Sequence, residues 1–157
     1  MDSREFRRHL HRHPELSFEE HQTQEFILAS LEAEGIEARK IAGTGVLAKI
    51  EGRRGGHRRA VVLRADIDAL PIRELNEVEY RSENEGVMHA CGHDMHAAML
   101  FGVLCELNRE RDFEGTLFGI FQPGEELNPG GASLVLKENP FDGYSVAAVI
   151  GQHVDAR

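Results

Sequence analysis

Three apolar runs, at residues 60–63, 116–121 and 146–150, alternate with stretches of helical periodicity, and this alternation is the tightest constraint on how the chain folds. Short runs without polar interruption suit strands covered on both faces. Strands that alternate with helices imply an α/β sheet with helices packed on its faces. In such sheets ligands gather beyond the carboxyl ends of the strands. Each run here is followed by polar groups: Asp66 and Asp68 after the first, Glu125 and Glu126 after the second, His153 after the third.

The remaining elements read from caps and spacing. Asp2 and Glu5 stand at capping-box spacing ahead of a helix carrying Phe6 and Leu10, which is expected to stop before Pro14. Ser17 and Glu20 repeat that spacing, and Phe18, Phe26, Ile27 and Leu31 predict a second helix ending at Gly35. Two more strands are expected at residues 36–41 and 46–50, joined by Gly43-Thr44-Gly45. From His93 to Arg111 the residues Met95, Met99, Val103 and Leu107 recur at helical spacing, and residues 131–137 form a short helix. No repeat, low-complexity segment or linker divides the sequence, so residues 1–157 read as one domain.

Charge and cysteine usage exclude several roles. The formal net charge of -9 argues against a nucleic-acid partner, which needs a basic face to displace phosphate counterions. No stretch approaches the roughly 20 apolar residues of a membrane helix, and the N-terminus has no apolar leader segment. Only two cysteines are present, Cys91 and Cys105, too few for a disulfide framework, and the expected location is cytoplasmic.

The segment Met88-His89-Ala90-Cys91-Gly92-His93-Asp94-Met95-His96 places a thiol, three imidazoles and a carboxylate at the mouth of a predicted helix. Thiolate, imidazole and carboxylate are the ligands of zinc- and manganese-type ions, and catalytic sites of this kind keep one position open for water. A single glycine between Cys91 and His93 allows both side chains to turn toward one ion. Glu125-Glu126 follows a buried run and a Pro-Gly turn, where neighbouring side chains point to different sides of a cavity. One carboxylate then ligates while the other holds a proton. His153 reads either as a ligand or as a hydrogen-bonded histidine at a strand end. Asp68 either orients a ligand imidazole or caps the turn before Pro71, and Asp66 is a weaker candidate. His9, His11 and His13 lie two apart on a helix, so they face different directions and are expected to be surface or capping residues. Cys105, among Leu100, Leu104 and Leu107, reads as core packing.

These motifs resemble the dinuclear metal amidohydrolases that include hippurate hydrolase, indole-acetyl-amino-acid hydrolases and N-acyl-amino-acid deacylases, related to aminoacylase and carboxypeptidase-type exopeptidases. The likeness runs along the whole chain. It comprises His11-Arg12-His13-Pro14-Glu15-Leu16 with Phe18 and Glu19, then Thr44-Gly45, then Arg64-Ala65-Asp66-Ile67-Asp68-Ala69-Leu70-Pro71-Ile72. His89-Ala90-Cys91-Gly92-His93-Asp94 and Phe121-Gln122-Pro123-Gly124-Glu125-Glu126 complete it. The resemblance implies a zinc-exopeptidase-like catalytic domain, a mixed sheet flanked by helices on both faces. It implies two divalent metal ions, manganese or zinc with cobalt as a further candidate, held by Cys91, His93, Glu126 and His153, with the Cys91 thiolate bridging. Glu125 would be the general base and Asp68 the aspartate behind a ligand. The implied substrate is a small N-acyl amino acid, cleaved at its amide bond. Gly124 stands where the family usually has alanine, a departure expected to matter little.

Members of this family are longer, with a lid through which they often dimerise and a later histidine that completes the site. Residues 1–157 are therefore expected to be the N-terminal part of the catalytic domain, with activity that needs the rest, and with apolar surface and a strand edge exposed. Two other readings stand beside an amidohydrolase. One is a truncated pseudoenzyme that binds metal without turnover. The other is a metal or redox module that uses Cys91, which predicts an accessible thiol of low pKa.

Overall fold

The computed structural model describes residues 1–154. Helix α1 (Ser3–Arg12) opens where the Asp2 side chain accepts from the Glu5 amide at 2.8 Å, and it ends ahead of Pro14, as the spacing predicts. After it come α2 (His21–Ala33), β1 (Glu37–Ile41), β2 (Gly45–Glu51), β3 (Arg59–Asp66), α3 (His93–Glu110), β4 (Thr116–Gln122), α4 (Gly131–Lys137) and β5 (Ser145–Gly151).

The strands form one mixed sheet in the order β1-β2-β4-β3-β5. The β1/β2 and β2/β4 pairs are antiparallel; β3 runs parallel to both β4 and β5. Every residue of β4 is buried, as its uninterrupted apolar run requires. Alternation along β2 and β4 divides the core between two faces. Val46, Ala48, Ile50, Leu117 and Phe121 pack with Phe6, Leu10, Ile27, Leu31, Phe101 and Leu104 of α1, α2 and α3. Leu47, Phe118 and Ile120 turn the other way and meet Val135 of α4. Each fully buried Val, Leu, Ile or Phe among them contributes about 1.5–3 kcal/mol. An α/β sheet with helices on both faces is thus what the strand and helix alternation predicts.

Two local expectations are corrected, and the buried face of α3 is defined. Ser17 and Glu20 do not cap α2: the helix starts at His21 with no side-chain cap bond, and Phe18 lies outside it with φ 65°. Both polar side chains are spent on tertiary contacts. In α3 the buried face is His93, His96, Ala97, Leu100, Phe101, Leu104 and Cys105, whereas Met95 is 40% and Val103 44% exposed. The spacing of Met95, Met99, Val103 and Leu107 predicts the helix but not its buried face, and these four residues are exposed or half-buried. On the same side of the molecule the strand β5 is exposed along its length, with Val149 65% and Ile150 47% exposed. Exposed apolar surface and a bare strand edge were both expected.

The second correction concerns His11, which is buried rather than superficial. Its Nδ1 lies 2.8 Å from Asp94 Oδ2 and its Nε2 3.0 Å from Glu74 Oε1, so both ring nitrogens donate to carboxylates. Arg7 Nε donates to the same Asp94 oxygen at 2.7 Å. The Asp94 hydrogen bond raises the His11 pKa above 6.5 despite burial, with help from Glu74. Burial alone would raise both carboxylates, but hydrogen bonds from His11 to Asp94, and from the Ser82 amide and His11 to Glu74, leave both lowered. The signs fix a window. The His11 contribution is full below the unfolded pKa of 6.5 and is lost as pH rises through the raised folded value. The carboxylate contribution is present above their unfolded values of 3.8 and 4.5 and is lost as pH falls through the lowered ones. Removing the imidazolium takes a charged donor from two buried carboxylates at once, leaving Glu74 without a cation, so His11→Ala is expected to destabilise the fold by about 3–5 kcal/mol near pH 6. Urea unfolding in a pH series from 6 upward should show the loss shrink as pH rises through the raised folded pKa of His11.

Candidate metal centre

Parallel pairing brings the candidate residues to one edge of the sheet. Asp66 of β3 stands opposite Gln122 of β4, and Arg64 of β3 opposite Gly151 of β5, so the three strands end together. Asp68, Glu125 and His153 each follow within three residues of those ends. Helix α3 begins at the same edge. Its N-cap Gly92 has φ 86°, and a Cβ there would sit 2.4 Å from Val154 Cγ2, so only glycine makes this turn between Cys91 and His93.

Two overlapping groups of donors result. One ligand atom from each of Cys91, His93 and His153 lies within 4.8 Å of the others, and the same holds for His93, Glu125 and Glu126. His93 belongs to both. Its Nδ1 is 3.0 Å from the Asp68 carbonyl oxygen and 3.1 Å from Asp68 Oδ1, both acceptors, so Nδ1 carries the hydrogen and Nε2 is the atom left to ligate. His153 is set the same way: its Nδ1 donates to the Val154 carbonyl at 2.6 Å, and its Nε2 faces Cys91 Sγ at 3.5 Å. A ring whose other nitrogen is occupied offers one lone pair to one ion. The donors able to serve two ions are the thiolate and the carboxylates.

The Asp68 carboxylate hydrogen-bonds the His93 ring, the contact that the imidazole-orienting alternative requires. Besides His93 it accepts from Ser17 Oγ at 2.7 Å and from the Glu126 amide at 2.9 Å, both on Oδ2. Burial would raise its pKa, but the hydrogen bonds from His93, Glu126 and Ser17 outweigh this and hold it ionised. For His93 burial works against the charged ring, and the Asp68 hydrogen bond with the charges of Asp66 and Asp68 overcomes it, so its pKa is raised.

Cys91 is half-buried beside a concentration of negative charge. Burial, a hydrogen bond to Glu126, and the charges of Glu126, Glu125 and Asp66 push its thiol up to about 11. This is the reverse of the low pKa that a redox module needs. A divalent cation would relieve the same crowding, and the thiol, imidazole and carboxylate donors fit one of the zinc or manganese type. In metal-free protein at pH 7.5, iodoacetamide is expected to alkylate Cys91 at least about tenfold more slowly than free cysteine. Rapid labelling would contradict the assignment. Cys105 is buried among apolar residues, as expected.

Sequence reasoning passed over His96, which is buried one turn after His93 on α3. Its ring centroid stands 5.8 Å from that of His153, and its Nε2 has no partner among the described residues. Asp66, the weaker candidate, is buried; its carboxylate pairs with Arg64, and its backbone amide donates to His96 Nδ1 at 3.2 Å. The full set of ligand-type residues at 88–96 was the signal for His96. Gly124 is also less incidental than expected: it has φ 56°, and a Cβ there would lie 2.3 Å from the Phe18 ring.

Comparison with known proteins gives consistent relatives. The family described as Peptidase family M20/M25/M40 matches residues 62–156. An N-acyl-L-amino acid amidohydrolase of Geobacillus stearothermophilus is 46% identical over 151 residues, 95% of this chain and 40% of that protein. An uncharacterized hydrolase of Staphylococcus aureus strain USA300 is 47% identical over 152 residues, 95% of this chain and 39% of that protein. Among solved structures, a Bacillus subtilis protein described as a dinuclear metal binding peptidase from M20 family superposes with TM-score 0.90 at 43% identity, covering 98% of this chain and 42% of that one. The chain thus spans about 40% of the length of the curated relatives it matches.

Proposed function

Because this chain belongs to peptidase family M20/M25/M40, we propose that it is the N-terminal part of a catalytic domain that hydrolyses the amide bond of N-acyl amino acids with two divalent metal ions. The observation that carries this reading is the pair of donor groups sharing His93, with both His93 and His153 fixed so that Nε2 is the free nitrogen. The relatives support it, one by its name as an N-acyl-L-amino acid amidohydrolase and one by its description as a dinuclear metal binding peptidase.

Cys91, His93, Glu126 and His153 would hold the ions. Manganese or zinc suits this donor set, and cobalt is a further candidate. Bound there, the ions would polarise the amide carbonyl and bring the pKa of a water toward about 7. Glu125 is the exposed carboxylate of the pair, open to solvent, and takes the proton of the attacking water. It returns that proton to the nitrogen as the carbon–nitrogen bond breaks, so that a carboxylic acid and an amino acid leave. Asp68 keeps His93 oriented throughout. Cytoplasmic residence accords with two unpaired cysteines and with the absence, among the described residues, of any helix long and apolar enough to cross a membrane.

The test is hydrolysis of a panel of N-acetyl and N-benzoyl amino acids by a protein in which residues 1–157 are joined to the remaining part of the catalytic domain, supplied with manganese or zinc. Turnover that a chelator abolishes is expected. Turnover indifferent to chelation, or none in protein shown to be folded and metal-loaded, would overturn the proposal for this chain.

A further inference from the structure

Residues 15–20, between α1 and α2, do more than join two helices. Phe18 sits at φ 65°, in the left-handed region that a bulky side chain occupies only where its surroundings over-determine it. Those surroundings are the loops of the candidate site. The Phe18 ring packs against Gly124, close enough that no side chain fits between them. Ser17 Oγ donates to Asp68. Glu20 is fully buried, and no cation among the described residues pairs with it. Its Oε2 accepts from Thr44 Oγ1 at the β1–β2 turn, and its Oε1 accepts from the Gly124 amide at 2.8 Å.

The consequence appears on either side of Glu125. The two amides that bracket it, of Gly124 and Glu126, are each held by a buried carboxylate: Glu20 takes the first at 2.8 Å and Asp68 the second at 2.9 Å. A buried carboxylate without a cation is costly to keep unless its hydrogen bonds are needed where they are. We propose that Glu20 is a positioning residue of this site, whose carboxylate fixes the Gly124 amide and so aims Glu125 and Glu126 at the metal-binding cleft. This rests on the metallohydrolase reading above, and it gives the residue a role distinct from that of Asp68, which acts through His93.

The test compares manganese affinity by calorimetry with hydrogen exchange at the Gly124 amide, in the 157-residue chain and its variants. Wild type that binds no manganese would overturn the hydrolase reading and this inference with it. With wild-type binding established, Glu20→Ala is expected to weaken it by about tenfold or more, in line with the loss of a group supporting a ligand. Exchange at Gly124 should quicken in the same variant. Glu20→Gln keeps an acceptor for that amide and should stay within about threefold of wild type, a rescue expected of a hydrogen bond to a neutral N–H. Glu19→Ala, at the exposed neighbour, should change nothing. If Glu20→Ala fails to fold, Thr44→Val, which frees the other carboxylate oxygen, should show a smaller loss in the same direction. Wild-type metal affinity in Glu20→Ala, or in Thr44→Val where that variant stands in, would overturn the inference by reducing Glu20 to a stability role. Damage in Glu20→Gln equal to that in Glu20→Ala would also overturn it.

Discussion

Glu125→Gln is expected to lower kcat for N-acyl amino acid hydrolysis by about 10²–10⁴-fold, the range that a positioned general base contributes. The amide of glutamine fills the same volume and can still accept a hydrogen bond from water, but it cannot take the proton. Metal content should be unchanged if Glu126 is the ligand of the pair. KM should move little, because the exposed Glu125 side chain has no hydrogen-bond partner among the described residues that its loss would disturb. Steady-state kinetics beside metal analysis of the purified variant read both quantities. A kcat reduced less than about tenfold would remove Glu125 from the proton-transfer role.

The second large effect is at His93. It is the one residue common to both donor groups, and its Nδ1 is committed to Asp68. His93→Ala removes the one nitrogen of that ring left free to ligate. Loss of a group that merely orients a ligand costs 10–100-fold in affinity, and loss of the ligand itself should exceed that range. His93→Ala is thus expected to bind manganese or zinc at least about a hundredfold more weakly. Equilibrium dialysis with metal analysis measures it. A loss below about tenfold would contradict His93 as a ligand.

Much of this was legible because it is local or periodic. The apolar runs that became β3, β4 and β5 are short and uninterrupted, and their parallel pairing follows from the helices between them. Once they are parallel, the polar residues just after each run must meet. The thiol and imidazoles at 88–96 are too concentrated for coincidence, and their place at the start of α3 follows from helical spacing beyond His93.

What was not legible depended on which of two physically sound uses a side chain would find. Ser17 and Glu20 have cap chemistry at cap spacing, yet their oxygens bond Asp68 and Gly124, partners far away in sequence. A capping bond and a tertiary bond draw on the same atoms, and local pattern cannot choose between them. His11 shows the same limit in reverse. Two-residue spacing correctly keeps its neighbours from joining it, but Asp94 and Glu74 are supplied by other segments. The spacing of Met95, Met99, Val103 and Leu107 marks α3 as a helix, but with apolar residues on most of its sides it carries no signal for the buried face.

The most direct measurement is a crystal of the manganese-loaded protein with data collected at the manganese edge. Two anomalous peaks at the carboxyl end of β3, β4 and β5 are predicted, reached by Cys91 Sγ, by Nε2 of His93 and His153, and by Glu126. Peaks elsewhere, or none where these side chains converge, would contradict the account.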